Sequence, residues 1–232
     1  MIYMESIYMD YPIYKFVLLP FLSSFIVYWL GAGFWFLCDL YINPKYRIKG
    51  EIDWKLYKKS AIHTLLTQII ITPMVLYSMI PLWKWRGISN GNEEDNILSL
   101  VSLCKLIACP FLAEPIFFLT HRLGHTKYFY KYHKVHHQWN VPCAVSASYA
   151  HPVEFICCSL PTFLLPVFIL RLNWYVAQLW FMGATLSVIN SHSGYKYPNG
   201  SIRHTNHHKY NNRNYGPMKI LDKLCGTEES RE

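Results

Sequence analysis

FVLLPFLSSFIVYWLGAGFWFLC, residues 16–38, runs for 23 residues without a charged side chain. Wound as an α-helix at ~1.5 Å per residue, such a run spans the ~30 Å hydrocarbon core of a bilayer. It is too long for the apolar core of a signal peptide, so it reads as a retained membrane span.

Working outward, the whole chain shares this character: 52% of its 232 residues are hydrophobic and 17% are aromatic. Residues 61–83 form a second uncharged run whose notable polar groups are His63, Thr64, Thr67 and Gln68. A third, residues 97–119, encloses Lys105 and Glu114; a charge inside a span is usually functional, paired or able to snorkel to the surface. Residues 155–170 and 174–189 are shorter apolar arms joined by Arg171-Leu172-Asn173. They read as a helical hairpin that enters the membrane and returns, with Pro161 and Pro166 kinking its first arm. The expected fold is all-α, a polytopic integral membrane helical bundle.

Basic residues set the orientation. Lys45, Arg47, Lys49, Lys55, Lys58 and Lys59 crowd the loop of residues 39–60, which should be cytosolic, whereas the loop of residues 84–96 carries Glu93, Glu94 and Asp95 and should face the other side. The amino terminus then falls in the lumen. The net charge of +8 suits an anionic membrane surface, and no nucleic-acid-binding motif accompanies it. The seven cysteines form no C-x-x-C pair and read as small hydrophobes. Asn199-Gly-Ser201 matches a glycosylation acceptor but lies on the cytosolic side in this topology, where it stays unmodified.

The chemistry lies in histidine. Eight of the eleven fall in three clusters: His121 and His125; His133, His136 and His137; His204, His207 and His208. Residues three and four apart share a helix face, so each cluster is expected to point its imidazoles at one spot. Eight neutral nitrogens exceed the needs of one ion and favour a dinuclear centre. No H-E-x-x-H is present, which argues against a zincin protease, and no Glu-x-x-His pair of the soluble di-iron bundles occurs. The topology returns all three clusters to one membrane face, so charge bias and ligand spacing agree.

In order, H-R-L-G-H (121–125), Y-K-Y-H-K-V-H-H (130–137), Y-A-H-P-V-E (149–154), H-S-G-Y (192–195), H-T-N-H-H (204–208), N-Y-G (214–216) and L-D-K-L-C-G-T (221–227) resemble the fatty acid hydroxylase superfamily. That superfamily includes sterol C4-methyl oxidases, sterol C5-desaturases and fatty acid 2-hydroxylases. Y-A-H-P-V-E and H-S-G-Y are most similar to the C4-methyl oxidase branch and its fatty acid hydroxylase domain-containing relatives. The resemblance is close over residues 114–227 and looser before. It implies a transmembrane region with a basic loop (1–110) and a catalytic domain (111–232) that includes the hairpin at about 155–190, capped on the cytosolic side by a di-metal histidine box.

The resemblance further implies that His121, His125, His133, His136, His137, His204, His207 and His208 ligate two non-haem iron ions, with His192 a ninth ligand. His151 matches a family position, as a ligand or as a residue that orients one; Glu114 and Tyr195 are further candidates for orienting the ligands, and His63 matches nothing and reads as structural. Two departures stand out. Phe117 and Phe118 occupy places where relatives carry Tyr or His, and the stretch from His192 to His204 is shorter than in typical C4-methyl oxidases. The implied activity is O2-dependent lipid hydroxylation, foremost at the C4 methyl group of a sterol. Sterol C5 desaturation or fatty acyl or sphingolipid hydroxylation at the same site, and a non-catalytic metal-binding membrane regulator, are the alternatives. The chain has no G-x-G-x-x-G fingerprint and no haem module, so electrons must come from outside. The resemblance points to NAD(P)H through a reductase and cytochrome b5, in the endoplasmic reticulum membrane.

Overall fold

A computed structural model of the chain describes residues 13–42, 44–48, 50–88, 99–196 and 200–229. The first twelve residues, Lys49, the acidic residues Glu93, Glu94 and Asp95, and Asn199 of the glycosylation motif lie outside the described residues. Among those described, the regular structure is helical, apart from one bridge between Arg47 and Tyr195.

A π-helical turn, Tyr14–Leu18, leads into α1, Leu19–Tyr41. Helix α2, Trp54–Ser78, starts where the Asp53 carboxylate accepts a hydrogen bond from the Leu56 amide at 2.9 Å, a side-chain N-cap. After Met79 comes α3, Ile80–Arg86, which Gly87 ends in the left-handed conformation at φ 67°. Ser99 caps α4, Leu100–Gly124. Short helices α5, Tyr130–His133, and α6, Pro152–Glu154, precede a second π-helical turn, Phe155–Ser159. The hairpin arms are α7, Leu160–Leu170, and α8, Trp174–Ser191; α9, Gly200–Tyr210, and α10, Ile220–Leu224, complete the chain.

Among the described residues, four helical stretches are long and apolar enough to cross a membrane: Tyr14–Tyr41, Trp54–Arg86, Leu100–Gly124 and Pro152–Leu170. Leu22, Ile26, Leu30, Phe34 and Leu37 of α1 recur at three- and four-residue spacing and all point outward. In water this stripe would be an exposed apolar patch; in lipid it is the matching surface. The protein is an all-α membrane helical bundle.

Polar bonds tie the helices together inside, where hydrocarbon offers no competing partner. Trp29 Nε1 donates to Gln68 Oε1 at 3.0 Å, Ser23 Oγ to Gln178 Oε1 at 3.0 Å, and Trp35 Nε1 to Asn190 Oδ1 at 3.0 Å. Phe16 packs against Trp83 and Trp174 with ring centroids 5.9 and 4.5 Å apart.

The third span is shifted relative to expectation, reaching Gly124 rather than residue 119 and carrying His121 on its last turn. The hairpin turn falls at residues 171–173 as expected, with Arg171 left-handed at φ 48°. Lys105, the charge inside the third span, donates to the Arg171 carbonyl at 3.2 Å and so ties α4 to that turn. The basic loop packs on the segment after His192: Ile48 N donates to Gly194 O at 2.8 Å and Lys196 N to Tyr46 O at 3.1 Å. Gly194 is required there, at φ 75°, since a Cβ would stand 2.6 Å from the Pro142 carbonyl.

Candidate metal centre

Nine imidazoles meet beyond the ends of α4 and α8, in two groups: His121, His125, His133, His137 and His207 in one, His136, His192, His204 and His208 in the other. Within each group the ligand atoms lie within 4.8 Å of one another, an arrangement that could hold a metal ion. Each sequence cluster was expected to serve one spot; instead the second and third are divided. His133 and His137 face one group while His136 faces the other, and His207 parts from His204 and His208. The reason is local. Successive residues in a helix stand ~100° apart, so each His-His pair must diverge.

The proton positions follow from the outer nitrogens. Nδ1 of His121 donates to the Tyr215 carbonyl at 2.7 Å, His136 to Tyr149 at 3.2 Å, His192 to Val188 at 2.8 Å, His207 to Arg213 at 2.6 Å and His208 to Trp139 at 2.7 Å. His133 Nδ1 instead donates to a carboxylate, Glu154 Oε1, at 2.6 Å. A neutral imidazole with its proton on Nδ1 presents a lone pair at Nε2. His136 and His192 are both held this way, yet their Nε2 atoms face each other at 3.3 Å. His204 Nε2 lies 2.8 Å from that of His192 and 2.9 Å from that of His208, and His133 Nε2 lies 2.9 Å from those of His125 and His137. His121 Nε2 is buried with no hydrogen-bond partner.

Converging lone pairs repel unless a cation lies among them. Nitrogens ~2.0–2.1 Å from one ion stand about 2.8–3.4 Å apart at right or tetrahedral angles, so the observed spacings of 2.8–3.3 Å fit metal ligation. Burial keeps the donors in the required form. It lowers His125 and His136 to about 4 and His192 to about 3, with the neighbouring His136 adding to the shift at His125 and His192. His133, His137, His204, His207 and His208 are pushed far down, first by burial and then by other imidazoles.

Three residues singled out near the clusters sit further away. His151 caps α6, its Nδ1 accepting from Val153 N at 3.2 Å, and its ring packs on Tyr132. Glu114 is buried on α4 and accepts from Met218 N at 2.7 Å and Leu221 N at 3.1 Å. Tyr195 stacks on Trp35 with centroids 5.1 Å apart. None of their hydrogen bonds reaches the nine imidazoles. His63, read as structural, bonds the Ala150 carbonyl at 2.8 Å.

Sequence reasoning left two carboxylates unassigned. Glu154 holds His133. Asp222, fully buried, accepts from Tyr215 N at 2.9 Å, Gly216 N at 2.8 Å and Arg203 Nη2 at 3.0 Å, fixing the segment whose carbonyl holds His121. Both lie in motifs already quoted, Y-A-H-P-V-E and L-D-K-L-C-G-T, which was the available signal. Gly124 of H-R-L-G-H also acquires a reason: a Cβ there would stand 3.3 Å from the His133 ring.

A cavity of about 400 Å³ joins the centre to the bundle. His121, His133, His136, His192 and His204 line it, and it continues between Phe21, Phe25, Leu76, Phe163, Leu164 and Phe181 of α1, α2, α7 and α8.

The site is thus a set of gathered imidazoles that could hold metal ions, opening on an apolar cavity inside an all-α membrane bundle. The chain belongs to the fatty acid hydroxylase family, which matches residues 106–227. Fatty acid hydroxylase ahd1 of Mycosarcoma maydis is 32% identical over 214 residues, which are 87% of this chain and 55% of that protein. The chain thus spans about half the length of that relative. A Dictyostelium discoideum protein named "Putative methylsterol monooxygenase" is 31% identical over 217 residues, 87% of this chain and 80% of that one. C-4 methylsterol oxidase erg25 of Schizosaccharomyces pombe is 27% identical over 197 residues, 78% of this chain and 62% of that one. No solved structure matches the chain.

Proposed function

We propose that this protein is a membrane-bound di-iron, O2-dependent lipid hydroxylase whose substrate is a C4-methylsterol. The observation that carries the reading is the pair of inward-facing imidazole groups at the wall of an apolar cavity inside a membrane bundle. The first group would hold one ion through His121, His125, His133, His137 and His207, and the second another through His136, His192, His204 and His208. Iron so held supplies the redox chemistry, by which a C–H bond and O2, with two electrons and two protons, become an alcohol and water. The protein's own contribution is positional. Carbonyls fix the imidazole tautomers, burial keeps the imidazoles neutral, and the phenylalanine-walled cavity admits a lipid from the bilayer while limiting water.

Residues 111–232 form the catalytic part in this reading, and residues 1–110 supply two spans and the basic loop. The cavity draws α1 and α2 into the substrate path. Orientation follows the basic loop, which packs beside His192 and sets the centre on the cytosolic face of the endoplasmic reticulum membrane. Exposed Lys55, Lys58, Lys131, Lys134 and Lys209 lie on elements that bear or flank the histidines. In this reading their charge draws an acidic electron carrier, cytochrome b5 reduced from NAD(P)H by its reductase.

The sterol assignment rests on the methylsterol-named relatives; the relative named a fatty acid hydroxylase favours an acyl chain as the second reading. The test is 18O2 incorporation into lipids of membranes holding this chain, compared with His136→Ala. Histidine-dependent label in a 4-methylsterol product is expected. Label in an acyl chain moves the substrate, and no label with correct insertion and reduced cytochrome b5 supplied overturns the hydroxylase reading.

A further inference from the structure

His133 is held differently from the other imidazoles. Five of the nine donate from Nδ1 to backbone carbonyls, but His133 donates to the Glu154 carboxylate at 2.6 Å. Glu154 is the one carboxylate hydrogen-bonded to any of the nine among the described residues. Both side chains are shielded, at 3% and 12% exposure, and the other carboxylate oxygen, Oε2, is buried without a hydrogen-bond partner.

The position of His133 makes this matter. Its Nε2 stands 2.9 Å from the Nε2 atoms of both His125 and His137, and its ring lies 4.8 Å from that of His121. The Nδ1 atoms of His125 and His137 make no hydrogen bond of this kind, and that of His137 is buried without a partner. Within the first group the two less constrained rings meet two held ones, His133 and His207, the latter at 3.0 Å from His125 and 3.1 Å from His137; His133 is the one held by a side chain rather than by a backbone carbonyl. A proton on its Nε2 would point into the group and block ligation. By accepting at Oε1, the Glu154 side chain holds the proton at Nδ1 and so opposes that tautomer. The backbone keeps Glu154 in place, because His151 caps the short helix that ends on it.

We propose that Glu154 is a positioning residue for the first histidine group, fixing His133 with Nε2 free of a proton, and that the ion held by this group depends on it while the ion at the second group does not. This rests on the nine histidines being metal ligands, as in the function proposed above. The experiment is cobalt(II) titration of the metal-stripped, full-length protein in nanodiscs, followed by visible absorption and metal analysis, for wild type, Glu154→Gln, Glu154→Leu and Glu154→Asp. Gln keeps an oxygen acceptor at the same reach, and Leu matches its size without one.

Wild type is expected to bind two ions, and Glu154→Gln to keep both within a few-fold. Glu154→Leu is expected to weaken one of the two about 10- to 100-fold, leaving the other unchanged. Glu154→Asp, which retains the charge but withdraws it by one methylene, is expected to weaken the same ion. Should the Leu variant fail to insert, the contrast between Gln and Asp carries the test. Equal binding by all four proteins, loss of both ions together, or wild-type binding by Asp with loss by Gln would overturn the proposal. Wild type that binds no cobalt would overturn the ligand assignment itself.

Discussion

At the scale of single residues, the centre is a problem of proton placement. Burial lowers His125 and His136 to about 4 and His192 to about 3, from 6.5. Below about pH 6.5 the unfolded chain takes up protons that the fold refuses, so these groups oppose folding increasingly as pH falls. Each contributes up to ~1.4 kcal/mol per pH unit, from about 6.5 down to its folded value, and nothing above. Metal-stripped protein should therefore show a flat melting temperature above about pH 7 and a falling one below it; constancy down to about pH 5 would contradict the burial. The nine histidines gathered here were all legible in the sequence, because spacing and motif order report them directly. Their division into two groups was not, since it depends on where each helix stops and which way a His-His pair diverges. Glu154 was hidden for a similar reason: it stands 21 residues beyond His133 and meets it only once the chain has turned back.

Elements matter here chiefly through their ends. Helix α4 delivers His121 on its last turn, and Glu114, near the middle of the same helix, receives the amides of Met218 and Leu221 from the C-terminal segment. Between them runs Tyr215, whose carbonyl holds His121. A Cβ on Gly216 would stand 2.8 Å from a Glu114 carboxylate oxygen. Gly216→Ala should therefore lift this segment from α4 and lower stability by about 1–3 kcal/mol, the range for overpacking. It should also weaken metal retention, read by metal analysis after dialysis; unchanged retention would show that the Tyr215 carbonyl is dispensable. The spans themselves were readable from hydropathy, the second least closely, since its helix starts at Trp54, seven residues before the uncharged run at 61. The helix that carries His121 outruns its apolar stretch because Arg122 to Gly124 continue it by backbone bonding, which hydropathy does not sense.

On the scale of the whole molecule, the bundle encloses a cavity that runs between the imidazole groups and the apolar core, the substrate path in the function proposed above. The cavity reaches from five imidazoles into the apolar core, and Thr185 of α8 is a small, buried residue in its wall. Thr185→Phe should narrow the passage, raising KM for a bulky lipid about tenfold or more while leaving metal content intact; unaltered KM would place the substrate elsewhere. No sequence pattern announces this cavity. It forms where faces of α1, α2, α7 and α8, far apart in the chain, fail to close on one another.

The carbonyls of Arg213 and Tyr215, together with His204, His207 and His208, come later in the chain than every span. During translation the helices can enter the membrane while the ring of donors still lacks a third of its members and two of its anchors. Four of the first group's five imidazoles are by then in the chain but only two of the second group's four, so a transcript cut short after the hairpin would yield an embedded precursor whose second group is half built. Quality control that monitors only insertion would pass such a product.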